Sequence, residues 1–339
     1  MTDQTHNSWD RDLLSLGGQL LQTRLWGTFK ERHGWHAERV RVRTSAGLGM
    51  AQILFKQRGP VSYGYVPRGP AFAAADAELA QTLFDAIDEV CAEHRALGLI
   101  VEPDSPLPLL GRYSDWGFVR GPAHIQPERT VKVPLGPDDA LMAQMHAKTR
   151  YNVRMALRRG VTVEHVAAPT REQVSAFYDL LLDTAGRNAF AVHTVDYYLD
   201  FLEIFGDRAV LMFAMVDDAP VAGAIAARFG EEAVYMYGGS STKLRAHGAA
   251  FYLQYEIMRW ARDQGSTRYD MWGIPPHDPE SSVAESGTKL ASSRGDDWRG
   301  LYEFKVRFGG EQVRYPPTLE RRYHPYLGAI ARRFSQLAG

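Results

Sequence analysis

The apolar positions of this chain change period in a set order, and they do so twice. Residues 38–43 alternate apolar and charged side chains, as a half-buried strand does, and Ser45-Ala46-Gly47 supplies a turn. Residues 50–56 and 61–66 read as two further strands. After a Gly/Pro-rich break the period becomes helical over residues 75–96, with Leu79, Leu83, Ile87, Val90 and Cys91 on one face. Leu97-Gly98 is predicted to close this helix, and residues 99–101 lead as a strand into Glu102-Pro103-Asp104.

The second half repeats the order. Residues 209–216 are a predicted strand, Asp217-Asp218 a turn, and residues 221–229 and 233–237 two more strands. A Gly/Ser break precedes a helix over residues 249–263 that stops at Gly265, and a strand ends at Asp270. Gly49 matches Gly223, Tyr65 matches Tyr237, Gly98 matches Gly265 and Glu102 matches Asp270. These offsets are 174, 172, 167 and 168, close to half of the 339 residues. Two tandem copies of one α/β (α+β) unit are therefore expected, over residues 1–138 and 139–312, with a tail at 313–339.

Composition narrows the function classes. A 45% hydrophobic, 23% charged chain is too apolar to be disordered, and no apolar run approaches the ~18 residues of a membrane span. With 39 Lys+Arg against 40 Asp+Glu there is no global nucleic-acid signature. Locally the picture differs: between Asp139 and Glu164 lie five Lys/Arg and no acid, with Arg150, Arg154 and Arg158 at helical spacing. One cysteine, Cys91, excludes an internal disulfide and fits a small buried residue of the helix. The histidines are scattered without an HExxH spacing, so no metal is expected. The polar, acidic start has no apolar core of a secretory signal, and a cytoplasmic protein is expected.

At the second strand-to-helix junction, Arg245-Ala246-His247-Gly248-Ala249-Ala250 has the R-x-x-G-x-A form of the acyl-CoA pyrophosphate loop of GNAT-type N-acyltransferases. Small residues let backbone amides approach an anion at a helix N-terminus. The first copy has Pro67-Arg68-Gly69-Pro70 there and lacks the loop. Three longer stretches go further: Gln22-Thr23-Arg24-Leu25-Trp26-Gly27-Thr28-Phe29-Lys30, Lys148-Thr149-Arg150-Tyr151-Asn152-Val153-Arg154, and Leu301-Tyr302-Glu303-Phe304-Lys305-Val306-Arg307-Phe308-Gly309-Gly310. In this order they resemble the FemABX family of aminoacyl-tRNA-dependent peptidyltransferases, from about Gln22 to Pro316.

The resemblance implies a pair of GNAT-like domains without a coiled-coil arm, and a C-terminal tail packing back on the first domain. It implies transfer of Gly, Ala or Ser from aminoacyl-tRNA to the stem-peptide amine of a peptidoglycan precursor, UDP-MurNAc-pentapeptide or lipid II. No cofactor is implied, and a monomer at the inner face of the membrane is expected. Lys305, with Phe304 in register, is the implied catalytic residue, an ammonium that stabilises the tetrahedral oxyanion. Lys30 matches the family's diphosphate-binding lysine and Arg187 is a looser candidate; Tyr235 and Tyr237 match tyrosines of the substrate channel. Asp104 and Asp270 are candidates for a general base, for stem-peptide contacts or for strand caps. Arg150, Arg154 and Arg158 are candidates for the tRNA backbone. Two other readings stay open: an acyl-CoA-dependent N-acyltransferase of a small amine, and a non-catalytic relative that binds a precursor or tRNA.

Overall fold

The computed structural model describes residues 3–109, 111–122, 125–188, 192–241, 248–277 and 298–324. Its elements in chain order are α1 (Asp3–Ser15), α2 (Arg24–Arg32), β1 (His36–Thr44), β2 (Gly47–Arg58), β3 (Val61–Pro67), β4 (Ala71–Phe72), α3 (Ala77–Glu93), β5 (Ala96–Glu102) and β6 (Phe118–Arg120). Then come β7 (Arg129–Pro134), α4 (Asp138–Gln144), α5 (Ala147–Arg158), β8 (Thr162–Val166), α6 (Arg171–Asn188) and α7 (Val195–Phe205). The rest is β9 (Ala209–Val216), β10 (Ala219–Phe229), β11 (Glu232–Ser240), α8 (Ala249–Asp263), β12 (Arg268–Ile274), α9 (Trp298–Val306), β13 (Glu311–Arg314) and β14 (Leu319–Arg322). The chain divides into two units between Glu128 and Arg129 and between Arg314 and Tyr315, so β7 goes with the second unit and β14 with the first. The sequence had suggested divisions at 138/139 and 312/313.

In the first unit the sheet runs β1-β2-β3-β5-β14-β6, with β4 beside β2. The meander is antiparallel, α3 crosses over, and β5 returns parallel to β3. Asp76 caps α3 by accepting from the Leu79 amide at 2.8 Å, and the buried face holds Leu79, Leu83, Phe84, Ile87 and Cys91. Burial pushes the Cys91 thiol up to about 12, in keeping with an inert apolar role. The helix ends at Glu93, not at Leu97-Gly98, because Arg95 takes the left-handed conformation (φ 49°) that a glycine usually supplies. Gly98 instead lies within β5, where the Tyr63 hydroxyl fills the space of a Cβ.

β14 is an interior strand despite reading Leu-Glu-Arg-Arg. Its charges are each met: Glu320 accepts from the Tyr63 hydroxyl at 2.6 Å and pairs with Arg322, while Arg321 bonds Asp88 and the Trp116 carbonyl at 2.5 and 2.6 Å. The Arg321 guanidinium also lies 4.3 Å from the Phe118 ring centroid.

The second unit repeats the plan: β9-β10-β11 antiparallel, α8, then β12 parallel to β11, in a sheet ordered β13-β7-β12-β11-β10-β9-β8. These are two GNAT-like α/β units in tandem. They differ in how far their central parallel strands stay paired. In the first, β3 and β5 stay paired from Ser62↔Ala96 to Pro67↔Glu102. In the second, β11 and β12 pair only from Glu232↔Arg268 to Val234↔Asp270 and then part.

The Gly309-Gly310 pair that follows α9 has a packing explanation. Both have positive φ (78° and 157°), and a Cβ on Gly309 would overlap the Gln144 carbonyl while one on Gly310 would sit 2.6 Å from the Lys132 carbonyl. Backbone carbonyls cannot move aside, so Gly309→Ala is expected to cost at least ~1–3 kcal/mol of stability, read as a fall in denaturation midpoint. An unchanged midpoint would contradict this account of the motif.

Candidate active site

Lys305 lies in the last turn of α9 and is 5% exposed. Its Nζ donates to the Gly273 carbonyl of β12 at 2.9 Å and stands 5.4 Å from the Tyr235 ring centroid on β11. The lysine thus touches both strands just past the point where they part. Burial lowers its pKa to about 7, and the Asp270 charge works against that shift. A buried ammonium with one donor committed to a carbonyl keeps further N–H groups for an incoming oxygen.

Phe304 does no proton chemistry; its ring meets Phe251 at 4.9 Å and Phe308 at 5.4 Å, which anchors α9 to the core of the unit. Asp270 is 1% exposed and lies inside β12, so the expected strand end there does not occur. It accepts from the Thr130 hydroxyl and, at 2.7 Å, from the Trp272 amide. Trp272 has φ 60°, and the ladder of β12 to β7 shifts register between Asp270 and Gly273. Asp270 therefore holds the irregular turn that delivers the Gly273 carbonyl to Lys305, and it is not placed as a solvent-facing base. Burial raises its own pKa, as does the Glu232 charge, against Lys132 and the Thr130 bond. Asp270→Asn should move the Lys305 pKa further down, because the charge opposing the burial effect is removed. Titration of the lysine ¹³Cε resonance measures this; an upward or null shift would contradict it.

The two tyrosines do not share surroundings. The β10–β11 register slips so that Ala226 faces Tyr235 while Ile225 faces Tyr237, leaving Met236 as the bulged residue. Tyr235 faces Lys305, with Gly238 making room for its hydroxyl, and burial raises its pKa to about 12. Tyr237 packs edge-on against Tyr198 at 5.1 Å and Phe201 at 5.6 Å, an aromatic cluster beneath α7. Arg187 falls near the end of α6, and its side chain lies outside the described residues.

Of the three arginines on α5, Arg154 and Arg158 are exposed. Arg150 is not a free surface cation: its guanidinium donates to the Ala143 carbonyl at 3.2 Å and to that of Met145, closing the end of α4.

In the first unit, Thr23 caps α2 by accepting from the Trp26 amide at 3.2 Å, which buries Trp26 and Phe29 and sets Lys30 beside them. The Lys30 ammonium is 5.4 Å from the Trp26 centroid, 5.9 Å from Phe29 and 5.6 Å from Trp35; Lys56 approaches the same Trp35 ring at 5.1 Å. Burial, and then the Lys56 charge, lower the Lys30 pKa to about 8. Two cations near one another on an aromatic floor suit a polyanion.

Asp104 lies beyond the end of β5, so it is not the counterpart of Asp270. It lines a cavity of about 230 Å³ with Gln19, Arg68, Phe72 and Ser105. Arg68 is a residue that sequence reasoning missed. It is 3% exposed, stacks 3.4 Å from the Tyr315 ring centroid and donates to the Pro127 carbonyl, yet its Nε and Nη1 have no hydrogen-bond partner among the described residues. Two unsatisfied guanidinium donors in a cavity are a candidate anion contact. The only available signal was the Pro67-Arg68-Gly69-Pro70 break, which reads as an ordinary turn.

One set of potential metal ligands converges among the described residues: His36 and His94 place Nε2 at 2.7 and 3.2 Å from the same Glu38 oxygen. Burial pushes the Glu38 carboxyl up, but the two histidine bonds outweigh it and hold it below its usual range. The sequence expectation of no metal did not anticipate this set, since His94 joins from the far end of α3.

Known proteins share sequence and fold with this chain. The FemAB family model matches residues 1–111, and the model of the GNAT acetyltransferase domain matches residues 147–279. The lipid II:glycine glycyltransferase of Staphylococcus aureus is 25% identical, covering 85% of this chain and 86% of its own. The crystal structure of FemX superposes with a TM-score of 0.79 at 21% identity, over 97% of this chain and 98% of that one. The chain is similar to FemABX proteins in sequence and in fold. The fold is shared more widely: a tandem GNAT protein from the clavulanic acid biosynthesis pathway has a TM-score of 0.55 at 13% identity, over 95% of each chain. In this chain the first unit keeps its central strands zipped, while the second opens them beside a buried lysine.

Proposed function

We propose that this protein is an aminoacyltransferase of the FemABX kind that builds the peptidoglycan interpeptide bridge, taking its amino acid from aminoacyl-tRNA. The observation that carries the reading is Lys305, buried at the parting of β11 and β12 and tied to the Gly273 carbonyl. The similarity to glycyltransferases that act on lipid II supports the same acceptor class.

In this reading the stem-peptide amine attacks the carbonyl carbon of the aminoacyl ester. The electron pair of the carbonyl moves onto oxygen, and the Lys305 ammonium donates a hydrogen bond to the oxyanion. Collapse breaks the bond to the tRNA ribose oxygen, which leaves with the proton lost by the attacking amine, and an amide remains. The ester is already activated, so no protein nucleophile is needed. Lys30, with Lys56 beside it, would hold the precursor's diphosphate, and Arg68 and Asp104 would contact polar groups of the precursor in their cavity.

The acyl-CoA alternative rests on the R-x-x-G-x-A loop, of which residues 245–247 lie outside the described residues. Gly248, at the start of α8, has φ 72°, and the Asn152 carbonyl of α5 lies 2.5 Å from where its Cβ would be. That contact requires a glycine without any pyrophosphate.

The test is incubation with charged tRNAs and either UDP-MurNAc-pentapeptide or lipid II, read by product mass. Addition of one or more residues to either precursor is expected. Thermal stabilisation by acetyl-CoA and not by UDP-MurNAc-pentapeptide would overturn the reading.

A further inference from the structure

The outer face of α5 carries an observation that a solvated basic helix does not require. Thr149, Val153 and Ala156 face inward and are buried. On the other side stand Lys148, Arg154 and Arg158, and among them Tyr151, 58% exposed and flanked by the Arg158 guanidinium at 6.0 Å from its ring centroid. The helix holds no acidic residue, and no salt bridge engages Lys148, Arg154 or Arg158 among the described residues. Cations alone would serve the backbone of any duplex; an aromatic ring held open between them offers a surface to an unpaired base.

The face is also joined to the lysine. His146, the residue before α5, donates its amide to the Arg307 carbonyl at 2.9 Å, two residues beyond Lys305. The turn after α9 packs on the Gln144 carbonyl just upstream of the same helix. A strand of RNA lying along α5 therefore approaches the segment that carries Lys305.

Resting on the proposed function, we infer that Tyr151 is a base-stacking subsite for the single-stranded 3′ end of the aminoacyl-tRNA, with Lys148, Arg154 and Arg158 holding the adjoining phosphates. Stacking selects the unpaired end over the acceptor duplex, and the cations supply affinity without reading sequence.

The experiment uses the full chain and two RNA hairpins with the same acceptor stem, one ending in a single-stranded ACCA and one blunt. Binding is measured by fluorescence anisotropy at two salt concentrations. Wild-type protein is expected to prefer the overhang by roughly 5- to 100-fold. Tyr151→Ala should abolish that preference and Tyr151→Phe retain it, while Arg154→Gln should weaken both hairpins alike. An overhang preference unchanged in Tyr151→Ala overturns the subsite and leaves the proposed function standing. Failure of the wild-type protein to bind either hairpin overturns the subsite together with the tRNA dependence on which it rests. Tyr151 is exposed, so equal melting temperatures of wild type and variants are expected and confirm that the variants are folded.

Discussion

Replacing Lys305 with methionine should lower turnover about 10²–10³-fold while leaving precursor binding unchanged. In the proposed mechanism the ammonium acts on charge that exists only in the tetrahedral state, so its loss is expected in kcat and not in ground-state affinity. Methionine suits the site sterically, because Lys305 is buried against Tyr235 and the strands of the second unit. The pH dependence gives a second check. A pKa near 7 in the folded protein, against 10.5 for an ordinary lysine, means that the unfolded chain binds more protons between those values. Wild-type stability should therefore rise with pH across that window, and the burial penalty is felt in full below pH 7. Lys305→Met should gain most over wild type on the acid side. If the ammonium is the active form, turnover should fall as pH rises through about 7, superimposed on the rising availability of the acceptor amine. A turnover unchanged in Lys305→Met would remove the lysine from the mechanism.

The double substitution Arg154→Glu with Arg158→Glu should weaken aminoacyl-tRNA binding by about two orders of magnitude at low salt, from two charge-assisted contacts of ~1.5 kcal/mol each. The slope of log affinity against log salt should become shallower by about 1 per cation removed. Arg150 does not belong in that set. Its guanidinium closes the end of α4 through the Ala143 and Met145 carbonyls, so Arg150→Glu should lower the melting temperature more than the tRNA affinity. Filter binding over a salt series, with calorimetry on the same variants, separates the two effects. Unaltered affinity and slope in the double variant would exclude α5 as the RNA surface.

The difference between Arg150 and Arg154 shows where sequence reading runs out. Spacing at i, i+4 and i+8 gives one helix stripe, but which cation is committed to a neighbouring carbonyl depends on how α4 ends. The same limit applied to Asp270. It reads as a strand-end carboxylate, yet Thr130, 140 positions earlier in the chain, turns it into a buried support for Trp272. It applied to the end of α3, where Arg95 adopted a conformation normally announced by glycine. Strand β14 was illegible for a related reason: Glu320, Arg321 and Arg322 look like surface charges until Tyr63, Asp88 and Trp116 are brought to them.

What the sequence by itself determined was the plan: two meanders with a crossover helix, set about half a chain apart, and motifs that resemble those of FemABX proteins, with Lys305 as the residue to test. Those features are local, because apolar periodicity and short motifs record which face of an element is buried. The tertiary structure alone decided that the second unit and not the first parts its central strands, that Lys305 is buried on a helix between them, and that only Tyr235 of the two tyrosines stands beside it. Strand register, bulges and the partners of buried charges are set by residues far apart in the chain, and no local period carries them.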